Sequence, residues 1–333
     1  MAKGTMAATI KEVAKLAGVS YQAVSAVLNG NLGKVSDKTR ERIYAAAERI
    51  DYRPNQMART LVSGKSDLIG FVTQDIRSPY YADLTYEVQR QAEQRGIRVI
   101  IMDARWNDEQ TLTDLALLTG YSVTGLFLVS DVLAEAEKRR ILPAGTPVIL
   151  IDSQSEHYNN VTYDYMPGMR EAFQLLHSRG LRRIVFVHDP VNPWKLDAYR
   201  RTCAEFNCTP EEVCYSSPCT AGEAPLVELG RKLAAQPLPD AFLIASDYDS
   251  ALIMQGFHYA RVRVPQDVSI VSIDDSLAGR ITCPPLTTIR IDRARLIGNA
   301  FDMLDELTEH PQSAPRQSVI PTELVVRDSV KEI

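Results

Sequence analysis

The sequence predicts a small all-α head and a short hinge helix, joined to a larger α/β core of two parallel-sheet subdomains. Three observations carry this. Between residues 9 and 50 apolar residues recur at helical spacing, interrupted by a glycine turn. From Leu68 onward, short apolar runs of strand length alternate with amphipathic stretches of helix length, the pattern of parallel sheets with crossover helices. The 333 residues, 45% hydrophobic and 24% charged, have ordinary globular composition and suffice for two or three domains. That composition excludes a disordered, collagen-like or disulfide-scaffold chain. No run of 18 apolar residues occurs, so no transmembrane helix is expected. The first residues lack the apolar segment of a secretory signal, so a cytoplasmic location is expected.

The head begins at Thr9, where Thr9-Ile10-Lys11-Glu12 fits a capping box. Ile10, Val13, Ala14 and Ala17 form one helical face, and Gly18 supplies the left-handed residue that ends the helix. Ser20 can cap a second helix at once. Its inner face is Val24, Val27 and Leu28; Gln22, Ala26 and Asn29 point the opposite way, flanked by Tyr21 and Ser25. A third helix from about Ser36 carries Ile43, Ala46, Ala47 and Ile50. Two short helices around a tight turn, closed by a third, are the helix-turn-helix plan, whose second helix fits the DNA major groove. Charge agrees. Residues 1–65 hold 11 basic and 5 acidic side chains, net +6, while the remainder is net −11. A basic head on an acidic body suits a polyanion at one end.

Thr9–Asn29, Val35–Ile43 and Tyr52–Leu61 resemble the head of the lactose-repressor (LacI/GalR) family of transcription regulators. The resemblance implies that the start of the second helix reads bases through Tyr21, Gln22 and Ala26. Gln can pair bidentately with adenine; Ala26 stands where many members carry Arg, the usual guanine reader. Independently of the resemblance, Ser20, Ser25, Asn29, Lys34, Lys38, Thr39 and Arg40 could hold phosphates and set the register, although each taken alone reads equally as solvated surface.

Pro54 disfavours helix at Arg53, and Asn55 can cap a segment of about two turns, too short to be stable alone in water. The resemblance implies a hinge helix that folds on operator DNA beside its twin, with Leu61 wedged between base steps and small Ala58 allowing close approach. The expected domains are therefore a DNA-binding head (1–54), hinge and linker (55–66) and core (67–333). Within the core, an N-subdomain spans about 67–165 and 291–320, and a C-subdomain about 166–290 and 321–333. Gly64-Lys65-Ser66 imitates the end of a phosphate-binding loop, but Arg59 occupies the position of its first glycine, so nucleotide binding is rejected.

In the core the expected strands are 68–72, 98–102, 125–129, 148–151, 184–187, 241–245, 269–273 and 286–290. The expected helices lie near 80–95, 109–120, 134–141, 167–179, 196–206, 222–235, 248–261 and 293–308. Ligands of such sheets sit outside the carboxyl ends of the strands. Polar and aromatic residues cluster there: Asp75 and Tyr80 after the first strand, Asp152-Ser153, His188-Asp189 with Trp194 and Lys195, Ser246-Asp247, and Asp274-Asp275. Rings, carboxylates and a cation together suit a small hydroxyl-rich ligand.

Ser78–Leu84, Pro147–Asp152, Val264–Asp275, Pro284–Arg290 and Pro321–Arg327 further resemble that family's periplasmic-binding-protein-like core. The resemblance implies an effector contact at Asp274. It places Lys195 where sugar-binding members usually have Arg, and Ser246-Asp247 where they have Asn-Asp. Lys is a point charge and Arg a planar fork, so the site keeps its plan with altered chemistry.

The five histidines are scattered, the spacings of Cys203, Cys208, Cys214, Cys219 and Cys283 fit no metal or redox motif, and no nucleophile elbow occurs. No enzyme, metal or cofactor is expected. The expected function is a DNA-binding regulator, a repressor by family precedent. A small molecule would control it, a sugar or sugar derivative in first place and a purine-type co-repressor or a protein co-regulator as the alternative. A transport solute-binding protein is the remote alternative. With no heptads after Arg327, a homodimer on near-palindromic operator DNA is expected rather than a tetramer.

Overall fold

The computed structural model describes residues 8–28, 35–52, 66–130, 132–143, 145–190, 192–216 and 222–332. Asn29, Lys34, Asn55, Ala58 and Leu61, expected at the DNA, lie outside the described residues. The chain divides into two compact units, residues 1–66 and 67–333.

In the first unit, helices α1 (Ile10–Ala17), α2 (Tyr21–Leu28) and α3 (Asp37–Arg49) close on a small core. Thr9 and Glu12 form the reciprocal capping box, and Gly18 takes φ 61° as α1 ends. The Ser20 hydroxyl accepts from the Ala23 N–H at 3.2 Å, starting α2. Val13, Ala17, Val24, Val27 and Ile43 are buried together, the face expected from periodicity. Arg42 of α3 donates to the Ala17 carbonyl at 2.5 Å, supplying a cation at the C-terminus of α1.

The second unit holds two six-stranded sheets. In chain order its elements are β1 (Leu68–Thr73), α4 (Pro79–Gln94), β2 (Arg98–Asp103), α5 (Asp108–Gly120), β3 (Leu126–Leu128), α6 (Leu133–Lys138), β4 (Val148–Ile151), β5 (Asn159–Asp164) and α7 (Met166–Ser178). They continue with β6 (Ile184–His188), α8 (Pro193–Glu205), β7 (Glu211–Cys214), α9 (Ala224–Ala234), β8 (Ala241–Ile244), α10 (Asp247–Tyr259) and β9 (Ser269–Asp274). The last are α11 (Leu277–Ile281), β10 (Thr287–Arg290), α12 (Arg293–Glu309), β11 (Gln317–Pro321) and β12 (Glu323–Val325). The sheet orders are β11-β5-β4-β3-β1-β2 and β12-β10-β9-β8-β6-β7. All described pairings are parallel except β10 with β12, which is antiparallel.

All eight expected core strands form, but the expected list lacked β5, β7, β11 and β12. β5 reads Asn-Asn-Val-Thr-Tyr-Asp, yet Asn160 and Thr162 are fully buried; the Asn160 amide donates to the carbonyls of Ser155 and Tyr158. Those two bonds offset part of the cost of burying Asn160, while its Oδ1 and Thr162 Oγ1 are buried without a partner, so β5 is a buried strand that no apolar run announces. β7 is an edge strand with alternating half-buried and exposed residues, too short to show periodicity.

The chain passes between the sheets after β5, after β10 and after β11. Thr322, in the last crossover, donates to the Asp164 carbonyl in the first at 2.9 Å, and its Oγ1 accepts from the Gly168 N–H at 3.2 Å. A Cβ on Gly168 would lie 2.5 Å from Ile289 Cγ2 and 2.9 Å from Thr322 Oγ1, so only glycine lets these segments approach so closely. Among the described residues, no helix is long and apolar enough to cross a membrane.

Candidate functional site

On the head, α2 buries Val24 and Val27 and turns Tyr21 and Gln22 to solvent, with Ser25 and Ala26 half-exposed. No charged residue lies on α2, so its outer face offers a phenol, an amide, a hydroxyl and a methyl group. Those groups suit base edges, while Lys11 and Lys15 of α1 and Lys38 of α3 supply exposed cations for phosphates.

In the core, the carboxyl ends of both sheets face a shared cavity of about 850 Å³. That volume falls within the range of small-molecule sites. One wall comes from the first sheet. Tyr80 follows Pro79 at the start of α4, and its hydroxyl donates to Asp152 Oδ2 at 2.9 Å. Tyr80, Tyr81 and Trp106 stack edge to face, with centroids 4.9 and 5.8 Å apart. Asp75 pairs with Arg77 at 2.8 Å.

The opposite wall comes from the second sheet. Asn192 caps α8, accepting from the Lys195 N–H, and so places Trp194 and Lys195 on its first turn. The Lys195 ammonium donates to the Ala245 carbonyl at 2.7 Å and to Asp274 Oδ1 at 3.3 Å. Asp152, the residue after β4, and Asp274, the last residue of β9, each follow an Ile and both take positive φ, 51° and 121°. Such a backbone costs about 1–3 kcal/mol for a non-glycine residue, and it persists where surrounding structure enforces it, often at ligand sites.

Burial pushes the carboxyls of Asp152, Asp249 and Asp274 up to about 6. Lys195 opposes the shift at Asp152 and Asp274, as does Tyr80 at Asp152 and Tyr215 at Asp249. Asp249 also feels the neighbouring charge of Asp189. Trp106 Nε1 and Asp152 Oδ1, on residues lining the cavity, are buried atoms without a hydrogen-bond partner in the chain.

Of the residues expected at the ligand, Asp75, Tyr80, Trp194, Lys195 and Asp274 line this cavity. Asp247 does not. It is fully buried beneath the cleft, where its carboxylate accepts from the hydroxyls of Ser272, Thr288 and Ser276 and from the Ser276 N–H. Its charge is spent joining α10 to β9, to β10 and to the loop after β9. The Asp274-Asp275 pair also divides: Asp275 is held by Arg290 at 2.7 Å and Arg327 at 2.5 Å. His188 stacks on Phe186 at 5.2 Å, and its Nδ1 lies 3.0 Å from the Asp189 carbonyl, a packing role. Among the cavity residues absent from the expected set are Trp106, Asp152, Asp189 and Asp249. Asp152 and Asp189 were visible at strand ends, but Asp249 sits one helical step past Ser246, and nothing local marks it as facing the cleft.

A three-helix head with an outward polar face, joined to a two-sheet core with a ligand-sized cleft, defines a DNA-binding regulator. Comparison with known proteins agrees with the geometry. Residues 9–55 match "Bacterial regulatory proteins, lacI family", and residues 173–330 match "Periplasmic binding protein-like domain". The chain is 25% identical to the HTH-type transcriptional regulator DegA of Bacillus subtilis (strain 168), over 98% of this chain and 99% of that protein. Its fold superposes on the lac repressor dimer bound to operator and the anti-inducer ONPF with a TM-score of 0.83, at 25% identity, covering 97% of this chain and 99% of that one. It also superposes on a complex of the transcriptional regulator CelR with cellobiose, with a TM-score of 0.66, at 25% identity and the same coverage. The chain belongs to the LacI family of helix-turn-helix transcriptional regulators.

Proposed function

We propose that the protein is a repressor that binds near-palindromic operator DNA as a homodimer and is controlled by a small molecule, a sugar or sugar derivative, in the core cleft. The observation that carries the ligand part is the cavity itself, whose walls come from both sheets. A ligand touching both walls favours one relative arrangement of the two over others, and that preference is what an allosteric effector must supply. Tyr80, Trp194, Lys195 and Asp274 would contact it, the rings covering apolar sugar faces and the charged groups bonding hydroxyls. Tyr21, Gln22 and Ala26 would read bases, with Ser20, Ser25 and Asn29 on phosphates and the Asn55–Leu61 hinge at the minor groove. Leu277 and Ile281 of α11, 61% and 73% exposed one helical turn apart, supply an apolar strip suited to a second copy. A regulator of this kind works beside the chromosome, in the cytoplasm.

The test begins by selecting bound sequences from a randomised duplex library with the full chain. Anisotropy on the selected duplex is then read with and without a panel of sugars, sugar phosphates and nucleobases. The expected result is a two-half-site duplex, binding that weakens steeply with salt, and at least one compound that changes DNA affinity. Recovery of no common sequence refutes the DNA reading. Compounds that bind the core and leave DNA affinity unchanged refute the allosteric one.

A further inference from the structure

The charge balance of the cleft identifies the ligand more closely. Among the described residues, seven carboxylates line the cavity against two basic side chains, Arg77 and Lys195. None of the core residues outside the described set is Lys or Arg. Both bases are already engaged, Arg77 with Asp75 and Lys195 with Asp274 and the Ala245 carbonyl, and the Arg293 guanidinium, buried behind the lining, acts on Asp152 and Asp274 on the far side from Asp249 and Asp189. The Arg77 side chain is moreover 75% exposed, so its charge is largely spent on solvent.

Asp108 and Glu223 are exposed at the rim, but the other acids lie deeper. Asp75, Asp249 and Asp274 are 2%, 6% and 4% exposed. Buried carboxylates close to one another are costly, because each loses water and repels its neighbours. On the wall of the second sheet, Asp189 and Asp274, which line the same cavity, both raise the carboxyl of Asp249. Lys195 shows what that wall accepts: its ammonium lies between a carbonyl oxygen and a carboxylate, 5.7 Å above the Tyr165 ring. Trp106 and Trp194, also lining the cavity, add ring faces that attract cations as well as sugar C–H groups.

We propose that the cleft ligand carries a protonated amine beside its hydroxyls, as an amino sugar or amino alcohol does, with the ammonium seated against Asp189 and Asp249. This rests on the effector reading above and narrows it. The amine would replace like-charge repulsion with charge-assisted hydrogen bonds from N–H donors to carboxylate oxygens. A phosphorylated or carboxylated ligand would add repulsion instead, and a neutral sugar would leave it unrelieved.

The experiment is calorimetric titration of the full chain at neutral pH with matched ligands: glucosamine, glucose, N-acetylglucosamine and glucose 6-phosphate, and the galactose counterparts. N-acetylation keeps the sugar ring and hydroxyls but removes the charge. The expected result is that, in at least one series, the free amine binds about tenfold or more tighter than every other member. Asp249→Asn and, separately, Asp189→Asn should each narrow that gap. Asp189→Asn serves as the second variant because Asp249 also accepts from the Tyr215 hydroxyl and its loss can unsettle the fold. A neutral or phosphorylated member that matches or exceeds the amine in every series overturns the inference and leaves a sugar effector standing. Binding by no member of either series, with DNA still retained, overturns both this inference and the sugar reading.

Discussion

The burial of Asp247 leads to a sharp expectation. Four donors converge on its carboxylate: the hydroxyls of Ser272, Thr288 and Ser276, and the Ser276 backbone N–H at 2.6 Å. Asp247→Ala leaves the N–H without an acceptor. The hydroxyls can turn only in part, since the nearest alternative for Ser272 is the Thr287 carbonyl at 3.5 Å. One stranded buried donor costs about 1–3 kcal/mol, and a hydrogen bond to a charged group is worth about 1.5–3. Removing the buried charge also removes its own desolvation penalty, so the expected net loss is ~3–5 kcal/mol rather than the sum of four bonds. At roughly 2–4 °C per kcal/mol for a domain of this size, melting should fall by about 6–20 °C. Asp247→Asn keeps the shape and one acceptor oxygen and should lose roughly half as much. Denaturant unfolding of the core, followed by tryptophan fluorescence, measures both. A loss under about 1 kcal/mol for Asp247→Ala would refute the bracing role, because a stranded buried donor alone exceeds it. So would the opposite pattern, full stability with ligand affinity abolished, which is the signature of a direct contact.

Other expectations follow from the same reasoning. Gly168→Val should destabilise the core by ~1–3 kcal/mol, because its side chain must displace Ile289 and Thr322 where crossovers meet; a variant of unchanged denaturation midpoint would sink that account. The Asp249 carboxyl is raised to about 6 in the folded chain, mainly by burial, with Asp189 and Asp274 adding and Tyr215 and Ser246 opposing. Unfolded, it titrates near 3.9, so the native state holds a proton that the unfolded state has released, and stability falls as pH rises from about 4 to about 6. Wild type minus Asp249→Asn should show that decline and level off on either side; a difference that grows with pH contradicts it. Thr9→Ala removes the side-chain half of the α1 capping box. The Glu12 amide should then exchange with solvent roughly fivefold faster, the scale of a lost cap; unaltered exchange would mean that packing alone holds that end.

What could be read in advance follows the range of the interaction involved. Thr9, Gly18 and the apolar faces of α1, α2 and α3 act within one or two helical turns, and each formed as periodicity and capping require. Most expected core strands announced themselves as apolar runs because they are buried on both faces, while β2, half-buried at a sheet edge, still carries the run Val-Ile-Ile-Met. β5 and β7 did not, one carrying buried Asn and Thr side chains and the other alternating half-buried with exposed residues at an edge. In the cleft, the same strand-end position carried different duties. Asp274 and Asp247 both follow apolar strands, yet one faces the cavity and the other lies beneath it.

The sequence by itself therefore determined most element types, the helix-turn-helix head, the α/β class of the core and the strand-end location of the residues that line its cleft. Each depends on residue spacing and on propensities that act locally along the chain. Only the tertiary structure decided which carboxylates face the cleft and which are consumed inside it. Tyr80 meets Asp152, Lys195 meets Asp274, and Asp247 meets Ser272 and Thr288, at separations of 72, 79, 25 and 41 residues. Partners so distant are chosen by how the strands stack and how the helices pack across them. A carboxylate's charge, solvation and availability to a ligand are set by those partners.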